Sequence, residues 1–344
     1  MIETLTSLSS LPNTLQLLMF VKAYGFEDNN KYICLMKKYF TLFTFFLLCL
    51  EHSYSQSIQK IVLNEKDSIS GYYLAVKPDS GSLSGALVLL PGFGQNAESI
   101  LPETKLHNVA YANNILTIAF AEGNKLYADS TVQAKLTDVL KDVIKRYKIN
   151  PEKFVLGGFS AGGMIALRYV ELCNEFPGKF PIKPKGVFTV DSPIDIFTIW
   201  DNLAESAKNK YSDLAVEEAE RAMNHIKNDH GIPRENIVLY SKLTAFSMDK
   251  KYGENEKFLK NTAVRVYHDV DIAWRLINRN QTVRESNYLV TSELINRLLL
   301  MGNKKAEFMQ SYQTGYRSDG RRHPHSWSIV DEVGFTMWMK ELIK

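Results

Sequence analysis

Phe154-Val155-Leu156-Gly157-Gly158-Phe159-Ser160-Ala161-Gly162-Gly163-Met164 joins a short apolar run to a helical one through a serine set between glycines. Residues 154–157 have the near-continuous apolarity of a strand buried on both faces, and residues 164–172 continue at helical spacing. A G-x-S-x-G segment in that setting reads as a sharp strand-to-helix turn, where glycine at 158 and 162 lets the backbone approach closely without a Cβ clash. Such a turn lifts the Ser160 hydroxyl clear of the sheet. It also leaves the Ala161 amide at a helix N-terminus, where an unsatisfied N–H and the positive dipole end stabilise a developing oxyanion.

Residues 86–90, 115–121, 186–190 and 263–267 are further short apolar runs of the same kind. Between them, residues 130–147 place Val132, Leu136, Val139, Val143 and Tyr147 at helical spacing, with charged residues on the opposite face. This alternation predicts an α/β chain with a mostly parallel central sheet, crossover helices on both faces and no internal repeat. It breaks between residues 197 and 260, where charged helical sequence replaces strand signals over about 65 residues, far longer than an ordinary connection. That stretch reads as a helical insertion after the strand ending near Val190, either a cap over the site or a surface excursion. His225 and His230 fall within it and read as solvated.

A serine at this turn needs a base, an acid to orient the base and a second oxyanion donor. The second donor is expected from the glycine-rich loop Leu90-Pro91-Gly92-Phe93-Gly94-Gln95-Asn96, with the Phe93 amide favoured over that of Gly94. Chain order puts the histidine near the C-terminus, in Arg322-His323-Pro324-His325-Ser326-Trp327. His325 is preferred because it immediately precedes what reads as the opening of the last helix, and His323 is the alternate. The acid is expected in His268-Asp269-Val270-Asp271, after the strand over 263–267, with Asp271 preferred and Asp269 next. Asp191 and Asp195, after the preceding strand, are the minority option. Trp274 and Trp327 flank the proposed acid and histidine, where they line a pocket or anchor loops.

Composition narrows the function class. Among 344 residues, 41 Lys+Arg stand against 38 Asp+Glu for a net charge of +3, and 45% are hydrophobic. There is no basic stripe to track a phosphate backbone, so nucleic acid is not an expected partner. Three cysteines, Cys34, Cys49 and Cys173, without a CxxC or Cys/His ladder give neither a disulfide framework nor a zinc-finger type of site. Cys173 lies in an apolar helical stretch and reads as a buried packing residue.

With strand, oxyanion loop, serine turn, late acid and final histidine in order, the chain resembles the α/β-hydrolase superfamily over roughly residues 71–344. The segments 90–98 and 158–163 are similar to those of secreted esterases related to polyhydroxybutyrate depolymerases and feruloyl esterases. The resemblance implies the α/β-hydrolase fold and a serine esterase acting on a small-molecule or polymeric ester through Ser160, His325 and Asp271, with Phe93 and Ala161 as oxyanion donors. It implies no metal and no organic cofactor. A serine peptidase of the prolyl-oligopeptidase type would share these residues, although no repeat of propeller-blade length occurs, and an inactive fold kept for binding is the remaining alternative.

The N-terminus reads separately. Met36, Lys37 and Lys38 precede an apolar run from Tyr39 to Leu50, followed by Glu51-His52-Ser53-Tyr54-Ser55-Gln56, the layout of a secretory signal peptide. Twelve residues are too few to span ~30 Å of hydrocarbon, for which about 20 are needed. Residues 36–55 are therefore expected to be a cleaved signal, residues 1–35 an upstream extension, and residues 56–344 one exported hydrolase domain without stable membrane insertion; an uncleaved anchor is the alternative. N-terminal sequencing of exported protein is expected to begin near Gln56, and an intact Met1 on a cytoplasmic protein would refute it.

Overall fold

The computed structural model describes residues 38–40, 56–79, 81–121, 124–210, 213–250 and 254–344. The chain divides into two units, residues 1–55 and 56–344. In the first, residues 38–40 are helical and exposed, and the rest of the expected signal segment lies outside the described residues.

Eight strands form one sheet in the order β1-β2-β4-β3-β5-β6-β7-β8. They are β1 (Ile58–Val62), β2 (Tyr72–Val76), β3 (Gly85–Leu90), β4 (Ile115–Phe120), β5 (Phe154–Phe159), β6 (Gly186–Val190), β7 (Ala263–Asp269) and β8 (Ala306–Ser311). β2 pairs antiparallel with β1 and β4, and all other pairings are parallel. Among the described residues the helices of seven or more residues are α1 (Leu106–Ala112), α2 (Ser130–Tyr147), α3 (Ala161–Glu175), α4 (Ile196–Asn209), α5 (Asp213–His230), α6 (Ile237–Leu243), α7 (Ile272–Arg279), α8 (Asn287–Leu300) and α9 (Glu332–Leu342). α4, α5 and α6 make up the insertion between β6 and β7. Among the described residues no helix is long and apolar enough to cross a membrane.

The continuous apolarity of the central strands follows from their position between two helical layers. In β3, Ala86, Val88 and Leu90 face a core shared with Val132, Leu136 and Val139 of α2 and Met164 of α3. Leu87 and Leu89 face the opposite core, with Leu106 and Ala110 of α1 and Phe335 and Trp338 of α9. Period-2 alternation therefore divides the side chains between two cores, and each fully buried Leu contributes about 1.5–3 kcal/mol. β1, β2 and β8 were not among the expected strands. β1 is exposed at one edge and β8 is only partly buried at the other, so neither carries the apolar signature of its neighbours.

The connections explain where the site falls. After β3 the chain passes through α1 on one face of the sheet, and after β5 it passes through α3 on the other. The loops leaving these adjacent parallel strands diverge and open a crevice at their C-terminal ends, the position where open α/β sheets bind ligands. The last helix starts later than expected. Residues 327–329 form a 3-10 turn, and α9 begins after Asp331, whose carboxylate caps it at the Gly334 amide.

Two glycines let the crevice close around Ser160. A Cβ at position 162 would meet the carbonyl oxygens of Leu90 and Pro91, and one at 158 would meet the Gly162 backbone. Neither obstacle is a flexible side-chain end that could swing away. Gly162→Ala is thus expected to lower stability by about 1–3 kcal/mol or more, the scale of core overpacking, read as a fall in the denaturant midpoint.

Candidate active site

Ser160 caps α3 with φ 53° and ψ −126°, a left-handed backbone that costs a non-glycine residue on the order of 1–3 kcal/mol. Its amide donates to the Val190 carbonyl at 3.0 Å, extending the β5–β6 pairing to the turn itself. Ala161 opens the helix immediately after it, so its amide is among the orphan N–H groups of the first turn. In the facing loop the Gly92 amide donates to the Gln95 side chain at 3.0 Å and the Gln95 amide to the Gly92 carbonyl at 3.1 Å. These two bonds tighten the turn around Phe93 without using the Phe93 amide.

Ser160 stands where two lobes of one crevice meet. A lobe of about 270 Å³ runs past Asp191, His325, Trp274 and Asn287, and a second of about 240 Å³ runs past Phe93, Leu126 and Ala222. Ile199 and Leu203 of α4 and Glu218 of α5 line both, so the insertion forms part of the wall around the serine. His225 and His230 belong to this packed underside and are only partly exposed. The ring of His225 lies 5.1 Å from that of Phe93, and that of His230 lies 5.6 Å from Tyr127. The two tryptophans divide: Trp274 lines the crevice, while Trp327 is fully buried against Phe159.

His325 is seated by its neighbours. Its ring packs on that of Phe159, the residue before Ser160, with centroids 4.4 Å apart, and Nδ1 donates to Oδ2 of Asp191 at 2.7 Å. The partner is Asp191 rather than the expected Asp271. Asp271 is occupied as the N-cap of α7, accepting from the Trp274 amide at 2.9 Å, while its other oxygen takes Arg322 at 3.0 Å. Asp269 is equally committed, accepting from the amides of Gln313 (2.9 Å) and Gly315 (2.7 Å) and from Arg322 (2.9 Å). It anchors the chain that leads back to His325. Asp195 caps α4 and accepts from the Met248 amide. An N-cap signal was available in the sequence, since an aspartate preceding a helical run is most simply spent on that helix. β6 is also the strand that pairs with β5, with Val190 opposite Phe159, so Asp191 and Ser160 are the residues that follow the last paired positions.

Asp191 itself sits at φ 39° with its amide bonded to the Tyr267 carbonyl and its carbonyl to the Asn287 side chain. Burial pushes its carboxyl up. The charge of His325 and the hydrogen bonds from His268 and His325, with Arg275 further off, outweigh that and hold it well below the usual carboxylate range. It is therefore an ionised acceptor at neutral pH.

His323, the alternate base, is engaged elsewhere. Arg279 donates toward its Nε2 at 2.8 Å, and the His325 amide donates toward its Nδ1 at 3.1 Å. Two donors converging on a ring with a single lone pair in its neutral form leave none for Ser160. Burial, with His325, Arg317 and Arg279 nearby, drives its pKa down to about 3. Cys173 is buried, as expected, and burial pushes its thiol up to about 12, so it is an inert packing residue.

No protein-family model matches the chain, and no curated protein matches it in sequence. Solved structures match it in fold. MPT51 (FbpC1) of Mycobacterium tuberculosis aligns with a TM-score of 0.56 at 11% identity, over 84% of this chain and 100% of that one. FphF, the fluorophosphonate-binding serine hydrolase F of Staphylococcus aureus, aligns at 0.52 and 10% identity, over 83% and 99%. A fungal esterase of Rhizomucor miehei aligns at 0.51 and 14% identity, over 85% and 84%. The chain has the α/β-hydrolase fold.

The low proton affinity of His323 has a direct readout. Its imidazole stays neutral throughout the range in which an ordinary histidine titrates, so its ring resonances are expected to hold constant between about pH 8 and about pH 5 in long-range proton–nitrogen spectra. An inflection near pH 6 from that ring would refute the assignment.

Proposed function

We propose that the protein is a serine hydrolase of carboxylic esters in which Ser160 is the nucleophile, His325 the general base and Asp191 the acid that orients it. One observation carries this reading: His325 bonds through Nδ1 to a buried, ionised carboxylate in the same crevice as a serine on a strained strand-to-helix turn. With the Nδ1 proton committed to Asp191, Nε2 is the nitrogen with a free lone pair.

The chemistry follows. Nε2 of His325 takes the Ser160 proton as Oγ attacks the ester carbonyl, and the charge on the carbonyl oxygen is met by the amides of Ala161 and Phe93. Collapse breaks the bond to the alcohol oxygen, which takes the proton from His325. Water, deprotonated in turn by His325, then attacks the acyl carbonyl; the bond to Ser160 Oγ breaks, Oγ takes the proton back from His325, and the carboxylic acid is released. Two lobes meeting at Ser160 suit the two halves of an ester, and no step needs a metal or cofactor. The fluorophosphonate-binding hydrolase and the esterase among the similar folds support the reading. The charged segment and apolar run over residues 36–55 support its extension to an exported enzyme.

Ser160→Ala is expected to abolish fluorophosphonate labelling and hydrolysis of p-nitrophenyl acetate while leaving the melting temperature unchanged or slightly raised, because the strained serine buries little apolar surface. Asp191→Asn is expected to cut kcat by about 10⁴-fold through the wrong imidazole tautomer. Asp271→Asn is expected to lose far less, since Asp271 caps a helix. A parent that never reacts with a fluorophosphonate while folded refutes the reading, and an aminoacyl nitroanilide cleaved faster than any ester would move it to a peptidase.

A further inference from the structure

We propose that His268 is a positioning residue for this reaction: from the end of β7 it clamps the second carboxylate oxygen of Asp191, fixing the rotation of the carboxylate that orients His325. The inference rests on the proposed roles of Ser160, His325 and Asp191.

The His268 side chain is 0% exposed, and its Nδ1 lies 2.9 Å from Oδ1 of Asp191. An ionised carboxylate only accepts, so Nδ1 carries the proton. Nε2 lies 2.7 Å from the Thr291 hydroxyl on α8, and the ring is stacked on Phe308 of β8 with centroids 5.4 Å apart. Oδ2 of Asp191 takes His325 at 2.7 Å, with Arg275 of α7 at 3.5 Å. The carboxylate thus has one oxygen on each of two histidines, and rotation about its Cβ–Cγ bond would break both hydrogen bonds together. That rotation sets the plane of the His325 ring and hence the direction of its Nε2 lone pair.

Packing does not account for an imidazole here. Phe308 and Tyr288 offer only aromatic contact, which any apolar side chain would satisfy, whereas a buried imidazole requires a partner for each nitrogen. The bond to Asp191 supplies the reason for the polar ring. The titratable and charged groups around it are Asp191 directly after β6, Arg275 on α7 and Tyr288 on α8. Beyond the carboxylate stand His325, with His323 beside it, and Arg317 over the Phe159 ring.

Two substitutions separate a donor from a filler. His268→Phe keeps a ring between Phe308 and Tyr288 and removes the N–H, whereas His268→Asn keeps an N–H near the position of Nδ1 and removes the ring. With p-nitrophenyl acetate, H268F is expected to lower kcat by about tenfold or more, the scale of one hydrogen bond to a charged group, with KM little changed. The acid limb of its kcat/KM profile is expected to move to higher pH, because a carboxylate relieved of one donor holds a proton on His325 more firmly. H268N is expected to recover most of the lost kcat and return the limb toward the parental position.

A packing role gives the opposite order, with H268N the more damaged. Parental kcat and parental limb in folded H268F, or an H268N no better than H268F, overturn the proposal while leaving the serine hydrolase reading intact. A parent inert toward both ester and fluorophosphonate overturns both. If H268F does not fold, Thr291→Val decides, since it removes the hydroxyl from Nε2 at constant volume. A several-fold fall in its kcat supports the proposal, and parental kcat overturns it.

Discussion

The carboxylate of Asp191 is the point at which the separate parts of this molecule are tied together. It follows β6 directly, its amide is held by β7, its carbonyl by Asn287 at the start of α8, and its oxygens by His268, His325 and Arg275. A buried ion is tolerated only when its hydrogen-bonding capacity is filled, and here strands, helices and the C-terminal loop each contribute to filling it. Those elements hold their relative positions because a charge stripped of any of these partners would be left poorly solvated. The left-handed backbone at Asp191 and that at Ser160, on adjacent strands, belong to the same arrangement: two paired strands end together and turn their last side chains into one crevice.

The central part of this architecture was legible in the sequence because burial on both faces writes a simple signature. β3, β4, β5, β6 and β7 all coincide with apolar runs, and α2 spans the same residues as its periodicity suggested. The edge strands were not legible. Ile58-Gln59-Lys60-Ile61-Val62 and Ala306-Glu307-Phe308-Met309-Gln310-Ser311 are defined by their neighbours' hydrogen bonds and not by their own composition. Histidines 225 and 230 were obscured for a related reason: charged helical sequence reads as solvated even when one face packs on the sheet domain.

The proposed acid was obscured for a different reason. Several aspartates follow strands in this chain, and sequence cannot say which of them are consumed by helix caps and loop amides. Asp195, Asp269 and Asp271 all carry structural duties that become visible only when Met248, Gly315 and Arg322 are brought against them across long separations in the chain. Ser160 escaped that ambiguity because its turn is coded locally, by glycines at 158 and 162 that backbone crowding requires.

The hydrogen bond between Asp191 and His268 also closes a ring in the chain. The two residues lie 77 positions apart, one before the helical insertion and one after it, and their bond is buried. The insertion is therefore a closed loop whose two ends are latched to each other beneath the site. For a flexible loop, doubling its length would cost only about 0.6 kcal/mol in closure entropy. Additions and deletions in α4, α5 and α6 can reshape the wall beside Ser160 while the bond between Asp191 and His268 stays in place, so the lining of the crevice is free to vary independently of that pair.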